Sequence, residues 1–229
     1  MKLEKVLQSQ GFGSRKQCRA LIEGGRVRVS GQAVDSAELE VTLEGLALEV
    51  DGVTWSCAER VYLALHKPIG VECSHTPSHH ASVFSLLPSF LVERGVQTVG
   101  RLDADTSGLL LLSDDGPFIQ RQTSPKWKVP KVYEVTCAEP VTAGQLERLR
   151  VGVVLSDDPS PASGAADLVD DRRLRLTITE GRYHQVRRML AAVGNHVVAL
   201  HRVAIGGFEL PSELGPGAWV RITPERVGR

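Results

Sequence analysis

Apolar and polar positions follow helical spacing and then strand spacing at the start of the chain. Leucine and valine recur at three- and four-residue intervals over residues 3–7, which predicts a helix. Ser14 suits the N-cap of a second helix, predicted over residues 15–23. Charged and apolar residues alternate over 26–29, as in a half-buried strand, and residues 32–34 return after a tight turn. The predicted order is therefore helix, helix and hairpin.

The pattern beyond this hairpin mixes strands and helices. Further short strands are predicted over residues 39–57, and we place a domain boundary near residues 58–61. Strands and helices do not alternate regularly after it, which favours an α+β fold over a doubly wound sheet. A loop is predicted over residues 156–166, which are rich in Asp, Pro, Ser and Gly. The predicted strands are 61–66, 96–100, 108–113, 131–137, 173–179, 196–206 and 218–223, and the predicted helices are 82–87, 117–122, 142–150 and 183–193.

The composition is that of a globular protein with a real core. The chain has 229 residues, of which 42% are apolar and 24% are charged. No apolar run approaches the roughly 20 residues that span a membrane or the length of a signal peptide, so a cytoplasmic location is expected. Four widely spaced cysteines favour reduced thiols over a zinc site. No coiled-coil pattern is present, and a monomer is expected.

Charge is unevenly distributed, although the net charge is zero. Residues 1–34 contain seven Lys and Arg against two Glu, an excess of +5, whereas residues 35–59 contain seven acidic residues and no basic one. We expect the acidic stretch to cancel the total without masking the basic end. A local basic patch is the electrostatic footprint of a nucleic-acid-binding surface, and a solvated charged face is the alternative. The candidate contact residues are Arg15, Lys16, Arg19, Arg26 and Arg28.

The main candidate for chemistry is a polar loop over residues 100–108, with the sequence GRLDADTSG. Four leucines follow it and predict a strand buried on both faces, so the loop is expected at the edge of the core. An aspartate there, Asp103, can act as a nucleophile or a base. The alternative is that Asp103 and Asp105 cap nearby backbone N–H groups. The glycine and glutamate spacing of a calcium-binding EF-hand loop is missing.

Two further motifs carry polar side chains that suit a binding cleft. Residues 180–190, EGRYHQVRRML, predict a helix that begins near Tyr183 and places Arg187 one turn after His184. Three arginines in seven residues suit an anion, although a charged helix face is the ordinary alternative. Tyr133 lies in a predicted strand, where it can stack on a base or simply pack half-buried.

A third cluster raises the question of a metal. Cys73, His75, His79 and His80 are a conceivable ligand set, but they lie in one proline-containing loop without a second paired cluster. A metal-dependent hydrolase therefore stays a weak alternative. The chain contains no G-x-S-x-G elbow, no P-loop and no dinucleotide-binding fingerprint.

Taken together and in order, these motifs resemble RNA pseudouridine synthases of the RsuA type, which modify single uridines in ribosomal RNA. The resemblance covers nearly the whole chain. It implies an S4 RNA-binding domain over residues 1–58 and a catalytic domain with a mixed, mainly antiparallel sheet over 61–229. The segments that carry it are 66–70 (HKPIG), 100–108, 131–133 (KVY), 181–190, 194–198 (GNHVV) and 205–207 (IGG).

The resemblance also implies a role for each candidate residue. Asp103 would be the nucleophile, attacking either the sugar or the uracil ring, and Arg187 would pair with it and keep it ionised. Tyr133 would stack on the flipped uracil and is a candidate for a later proton transfer. Leu190 would pack beneath the site, and Arg101 would lie beside the target. Since the isomerisation needs no redox step and no group donor, neither a cofactor nor a metal is expected.

Ribosomal RNA is the partner that the resemblance implies. The length, the S4 module and the lack of a basic C-terminal extension look most like the small-subunit (16S) enzyme, which implies a uridine 516 type of site. Relatives that act on large-subunit (23S) rRNA share the same motifs. A non-catalytic RNA-binding protein of ribosome assembly is the alternative from another class.

Overall fold

The computed structural model describes residues 1–155 and 158–228, which divide into two compact units. The first unit contains Met1–Val61 together with Leu87–Gln97. The second contains Tyr62–Leu86 and the chain from Thr98 onward. Within the described part of the chain, no helix combines the length and the apolar character needed to cross a membrane.

The first unit begins with the predicted helix, helix and hairpin. Helices α1 (Leu3–Ser9) and α2 (Arg15–Glu23) precede a four-stranded antiparallel sheet in the order β2-β1-β3-β4. The side chain of Ser14 accepts a hydrogen bond from the backbone N–H of Gln17, whose own side chain accepts the N–H of Ser14, so a capping box starts α2. The strands are β1 (Val27–Val29), β2 (Gln32–Ala33), β3 (Ala47–Val50) and β4 (Val53–Ser56).

A short helix from later in the chain, α3 (Ser89–Glu93), also belongs to this unit. The ring of Phe90 stacks on Phe12 with centroids 4.7 Å apart and meets Trp55 edge-on at 4.9 Å. The sequence pattern did not predict α3, because five residues are too few to show a helical period. The linear domain limits, 1–58 and 61–229, stay a prediction.

The second unit is built on a mixed sheet of nine strands among the described residues. Its main path is β13-β14-β10-β15-β9-β5-β17, with β16 beside β15 and β8 beside β9. Neighbours along the path are antiparallel except β15 and β9, which are parallel. The predicted α+β class with a mainly antiparallel sheet is confirmed.

The bounds of the remaining elements follow the predicted order closely. The strands of the sheet are β5 (Tyr62–Lys67), β8 (Gln97–Val99), β9 (Thr106–Ser113), β10 (Lys131–Cys137), β13 (Ala165–Asp170), β14 (Arg173–Ile178), β15 (Val197–Ile205), β16 (Phe208–Glu209) and β17 (Trp219–Arg221). Two small ladders join β6 (Val71–Glu72) to β7 (Ala81–Ser82) and β11 (Val153–Leu155) to β12 (Asp158–Ala162). The helices are α4 (Gly116–Thr123), α5 (Ala143–Val151), α6 (Gln185–Ala192) and α7 (Pro224–Val227), with 3₁₀ turns at Val83–Leu86 and Pro125–Trp127.

The prediction of a loop over residues 156–166 is wrong for most of that segment. Residues 158–162 form β12, and β13 begins at Ala165; Ser156 and Asp157 lie outside the described residues. Polar composition misled the prediction because both strands lie at edges, where one or both faces meet solvent. The buried Ala162 and Ala166 supply the few apolar contacts that these strands make.

Candidate functional site

A buried lysine holds the backbone of the polar loop between β8 and β9 through hydrogen bonds. Lys67, at the end of β5, is fully buried, and its Nζ donates hydrogen bonds to the carbonyl oxygens of Pro68 (3.0 Å), Asp103 (3.0 Å) and Thr106 (2.9 Å). Burial lowers the pKa of Lys67, and the negative charges of Asp103 and Asp105 oppose that shift. The sequence analysis missed this role, although a lysine that ends an apolar strand is an unusual feature.

Asp103 itself lines a cavity of about 490 Å³. Its side chain is 39% exposed, and its Oδ1 lies 3.3 Å from Nε2 of His184. No backbone N–H among the described residues donates to this carboxylate, so the capping alternative does not account for it. The carboxylate is instead presented to the cavity on a loop whose backbone is fixed.

His184 lies at a strained turn immediately before α6. Its φ angle of 47° falls in the left-handed region, which is uncommon for a side chain with a Cβ and recurs at functional sites. The helix therefore begins at Gln185 and not near Tyr183 as predicted. The side chain of Gln185 explains the later start, since it accepts the backbone N–H of Arg182 and donates to Glu180. The exposed Tyr183 ring stacks on His184 at 3.9 Å.

The predicted pairing of Arg187 with Asp103 is wrong in this structure. Arg187 forms its ion pair with Asp105, with Nη2 and Oδ2 2.9 Å apart. His184 lies beside Asp103, and Arg187, three residues later, lies next to Asp105. A further bond from Nη1 of Arg187 reaches the carbonyl of Val197, while its buried Nε has no partner among the described residues.

Tyr133 also lines the cavity and is 8% exposed. It pairs across the sheet with Arg202 on β15, whose Nη1 donates to the tyrosine hydroxyl at 3.4 Å. Arg202 is 3% exposed, and its Nε donates to the carbonyl of Leu109. The sequence analysis missed Arg202 because it stands in a strand pattern with no motif around it.

The remaining two predicted site residues occupy different positions around the cavity. Arg101 is exposed and lines it. Leu190 is fully buried on α6 and does not line the cavity, whose apolar side chains include Val186 and Leu200. The cavity thus offers the carboxylate of Asp103, two tyrosine rings and several cations, which suits a planar polar ring bearing carbonyl groups.

The side chains of the loop that suggested a metal site make other contacts. The His75 ring stacks on Phe84 at 3.7 Å, and Sγ of Cys73 accepts the backbone N–H of Leu102. Burial raises the pKa of the Cys73 thiol, which disfavours the thiolate that a metal would need. The carboxylate of Glu72 accepts the backbone N–H groups of Ser78, His79 and His80. Within residues 1–155 and 158–228, no group of three or more His, Cys, Asp or Glu side chains is placed to hold a metal ion.

In the first unit, two of the predicted RNA-contacting arginines converge on one buried carboxylate. Glu4 is fully buried, and it accepts hydrogen bonds from Nε of Arg15 (2.7 Å) and Nη2 of Arg19 (2.9 Å). The bond from Arg15, with help from Arg19, lowers the pKa of Glu4 despite its burial. Arg19 also pairs with Glu38 of the acidic stretch at 3.0 Å.

The expectation that the acidic stretch leaves the basic end unmasked is wrong. Arg26 forms a two-bonded pair with Asp51, with both N–O distances 2.6 Å, and Arg28 lies 3.8 Å from Glu49. Antiparallel pairing of β1 with β3 brings these opposite charges together. Lys16 is exposed and has no acidic partner among the described residues. An RNA phosphate would have to compete with carboxylates for the other four.

We expect Glu4→Gln to destabilise the first unit at neutral pH but not in acid. The lowered pKa means that the carboxylate stabilises the fold above its ordinary value of 4.5, and that this contribution is lost as the pH falls through the folded-state pKa. The difference in melting temperature from wild type should therefore shrink between about pH 5 and pH 3. The exposed Glu44→Gln is the control. A difference that stays constant over this range would contradict the assignment.

Comparison with protein families agrees with the order of these sites along the chain. The S4 domain family matches residues 1–46, and the RNA pseudouridylate synthase family matches residues 61–192. The latter match covers more than half of the chain and includes the polar loop, β10 and α6. The chain belongs to the RNA pseudouridine synthase family, a class of isomerases.

Individual relatives match almost end to end. The ribosomal small subunit pseudouridine synthase A of Escherichia coli (strain K12) is 38% identical over 229 residues, which cover 99% of this chain and 98% of the relative. The protein of the same name from Vibrio vulnificus is 37% identical over 230 residues, with the same coverage. A crystal structure of a pseudouridylate synthase, 33% identical, superposes with a TM-score of 0.70 over 99% of this chain and 98% of that one.

Proposed function

We propose that this enzyme converts one uridine of 16S rRNA, of the uridine 516 type, to pseudouridine through base flipping and nucleophilic attack by Asp103. The observation that carries the proposal is the Asp103 carboxylate, held on a fixed loop and facing a cavity that also contains Tyr133. The choice of the small subunit rests on the names and end-to-end similarity of the relatives.

The cavity, with a volume of about 490 Å³, supports base flipping as the first step because it has room for a single base. A paired or stacked uridine hides its glycosidic bond, so the base has to be extruded at a cost of a few kcal/mol. Tyr133 offers an aromatic ring against which the uracil can stack. Arg101, exposed at the rim, is placed to fill the gap that the flipped nucleotide leaves.

The chemical step then needs an ionised carboxylate at a fixed position. Lys67 holds the carbonyl of Asp103, and Arg187 holds Asp105, so the loop is fixed at the nucleophile and two residues after it. His184 lies against the Asp103 carboxylate and is placed to orient it. The carboxylate can attack either the sugar or the uracil ring from this position.

The S4 unit is the proposed RNA-binding module. Its exposed Lys16 is available to a phosphate directly, whereas Arg15, Arg19, Arg26 and Arg28 would exchange a carboxylate for a phosphate. Such exchange weakens the net gain from each contact.

Mapping pseudouridines in both rRNAs from a strain that lacks this gene tests the proposal. We expect one position of 16S rRNA to lose its pseudouridine, and wild-type protein, but not Asp103→Asn, to restore it. Loss of a 23S position instead would assign the enzyme to the large subunit. No change in either rRNA, together with no tritium release from 5-labelled uridine in rRNA, would favour a non-catalytic binding protein.

A further inference from the structure

One row of the central sheet carries three charged or polar side chains at the same level. Across β5, β9, β15 and β10, the register aligns Lys67 with Gly108, Gly108 with Arg202, and Arg202 with Tyr133. Lys131, two residues before Tyr133 on β10, shares its face of the strand. Lys131 and Arg202 both line the cavity, and Lys67 lies beneath the loop beside it.

The three cations Lys67, Lys131 and Arg202 have no carboxylate partner among the described residues. Lys67 bonds to three carbonyl oxygens, Lys131 to the carbonyl of Val129, and Arg202 to a carbonyl and the Tyr133 hydroxyl. The buried Nη2 of Arg202 has no hydrogen-bond partner at all in this part of the chain. Two other arginines of the cavity differ, since Arg182 pairs with Glu180 and Arg187 with Asp105.

Such a cluster is costly unless a negative charge compensates it. Burial lowers the pKa of Lys67 and of Lys131, and the charge of Arg202 adds to both shifts. Lys67 and Arg202 are buried, and Lys131 is half-buried. Apolar side chains would fill the positions of Lys67 and Arg202 at lower free energy, because an unpaired buried cation loses its hydration without gaining an ion pair. The cation cluster therefore points to an anion that occupies the cavity during the catalytic cycle.

The proposed reaction produces such an anion. If Asp103 attacks the sugar, it forms an ester at C1′, and the electron pair of the C1′–N1 bond leaves on uracil. If it adds to C6 of the ring, the pair of the C5–C6 double bond passes to the C4 carbonyl as an enolate, and the C1′–N1 bond breaks when C5 of this enolate bonds to C1′, with the electron pair leaving on N1. In either route the negative charge that Asp103 loses appears on the uracil ring. When C5 has bonded to C1′, a proton leaves C5, N1 gains one, and the carboxylate is released.

We propose that Lys131 and Arg202 form an electrostatic floor that stabilises the negative charge on uracil while it is detached or covalently activated. The inference rests on the proposed function and assigns a role to two residues outside the predicted site. Fixed cations in a cavity with little water interact more strongly with a developing charge than solvent does, and they need not reorganise. Arg202 would also hold the Tyr133 hydroxyl in place.

Equilibrium binding of two flat pyrimidines separates this role from general damage to the cavity. Uracil is neutral at pH 7.5, whereas barbiturate has nearly the same shape and is an anion. Asp103→Asn protein serves as the parent, because it lacks the competing negative charge and cannot turn over. We expect the parent to bind barbiturate at least about 10-fold more tightly than uracil, measured by NMR chemical-shift titration.

Lys131→Met and Arg202→Gln, each made in that parent, should reduce this preference by about 10-fold while changing the affinity for uracil by less than about two-fold. Arg202→Lys, which keeps the charge, should retain most of the preference. Arg175→Gln on the next strand is the matched control, because Arg175 is exposed and pairs with Glu134. An equal loss of affinity for both pyrimidines, or an unchanged preference, would overturn the proposal.

Melting temperatures identify any variant that fails to fold, and Lys131→Met and Arg202→Lys still decide the question if Arg202→Gln is unstable. The titration involves no RNA and no turnover. A wrong rRNA target would therefore leave the anion preference intact. If the enzyme is active but the parent protein shows no preference for the anion, the role proposed for Lys131 and Arg202 is wrong, and the proposed function is unaffected.

Discussion

Asp103→Asn is expected to abolish pseudouridine formation, with a rate loss of about 10³-fold or more, while the fold remains intact. The amide has nearly the shape of the carboxylate but cannot act as the nucleophile. Little stability should be lost, because the side chain is 39% exposed and its polar contact among the described residues is with His184. Tritium release from 5-labelled uridine in rRNA measures the activity, and the melting temperature measures the fold.

The neighbouring Asp105 provides a matched comparison within the same loop. Its side chain is 67% exposed, pairs with Arg187, and is not part of the cavity wall. Asp105→Asn should slow the reaction by only about 10-fold, through loss of that ion pair, and the exposed Asp171→Asn should leave it unchanged. If Asp103→Asn turned over at the wild-type rate while Asp105→Asn was inactive, the nucleophile would be Asp105.

The sequence was sufficient for elements whose signals are local. Ser14 and the glycines after residue 23 set the limits of α2, and the run of four leucines identified β9 as a fully buried strand. The sequence was not sufficient for α3, which is too short to show a helical period. It was also not sufficient for β12 and β13, whose polar composition as edge strands resembles that of a loop.

The candidate site was predicted as a set of residues but not as a set of contacts. Each motif carries a recognisable pattern, so the sequence pointed to four residues that line one cavity in the structure: Arg101, Asp103, Tyr133 and Arg187. Which aspartate Arg187 reaches depends on side-chain geometry in the folded protein, which the periodicity of the sequence does not resolve. Arg202 could not be found this way, since its place beside Tyr133 follows from strand register between distant segments.

The same limitation applies to the charges of the first unit. Counting charges along the chain separates a basic segment from an acidic one, whereas the sheet places Arg26 opposite Asp51 and Arg28 opposite Glu49. A basic patch inferred from a linear count is therefore an upper limit on the free positive surface.

Gly108→Ala is the substitution outside the nucleophile that we expect to have the largest effect. Gly108 lies in β9 and has a φ angle of 109°, a conformation that a residue with a Cβ rarely adopts. A Cβ there would lie 2.2 Å from the carbonyl oxygen and 2.5 Å from the nitrogen of Arg202, so β15 would have to move away from β9. Backbone strain and overpacking together should destabilise the protein by about 3 kcal/mol or more, and the melting temperature should fall by about 6–12 °C.

The same substitution should also remove activity in the protein that still folds, because displacement of β15 from β9 changes the position of Arg202 relative to Asp103 and Tyr133 at the cavity. Gly116→Ala is the matched control: it adds the same methyl group in open space at the first residue of α4, without a positive φ angle. Its melting temperature and tritium release should match the wild type. A Gly108→Ala protein that melted and reacted like the Gly116→Ala control would show that β9 and β15 are not held as closely together as the register requires.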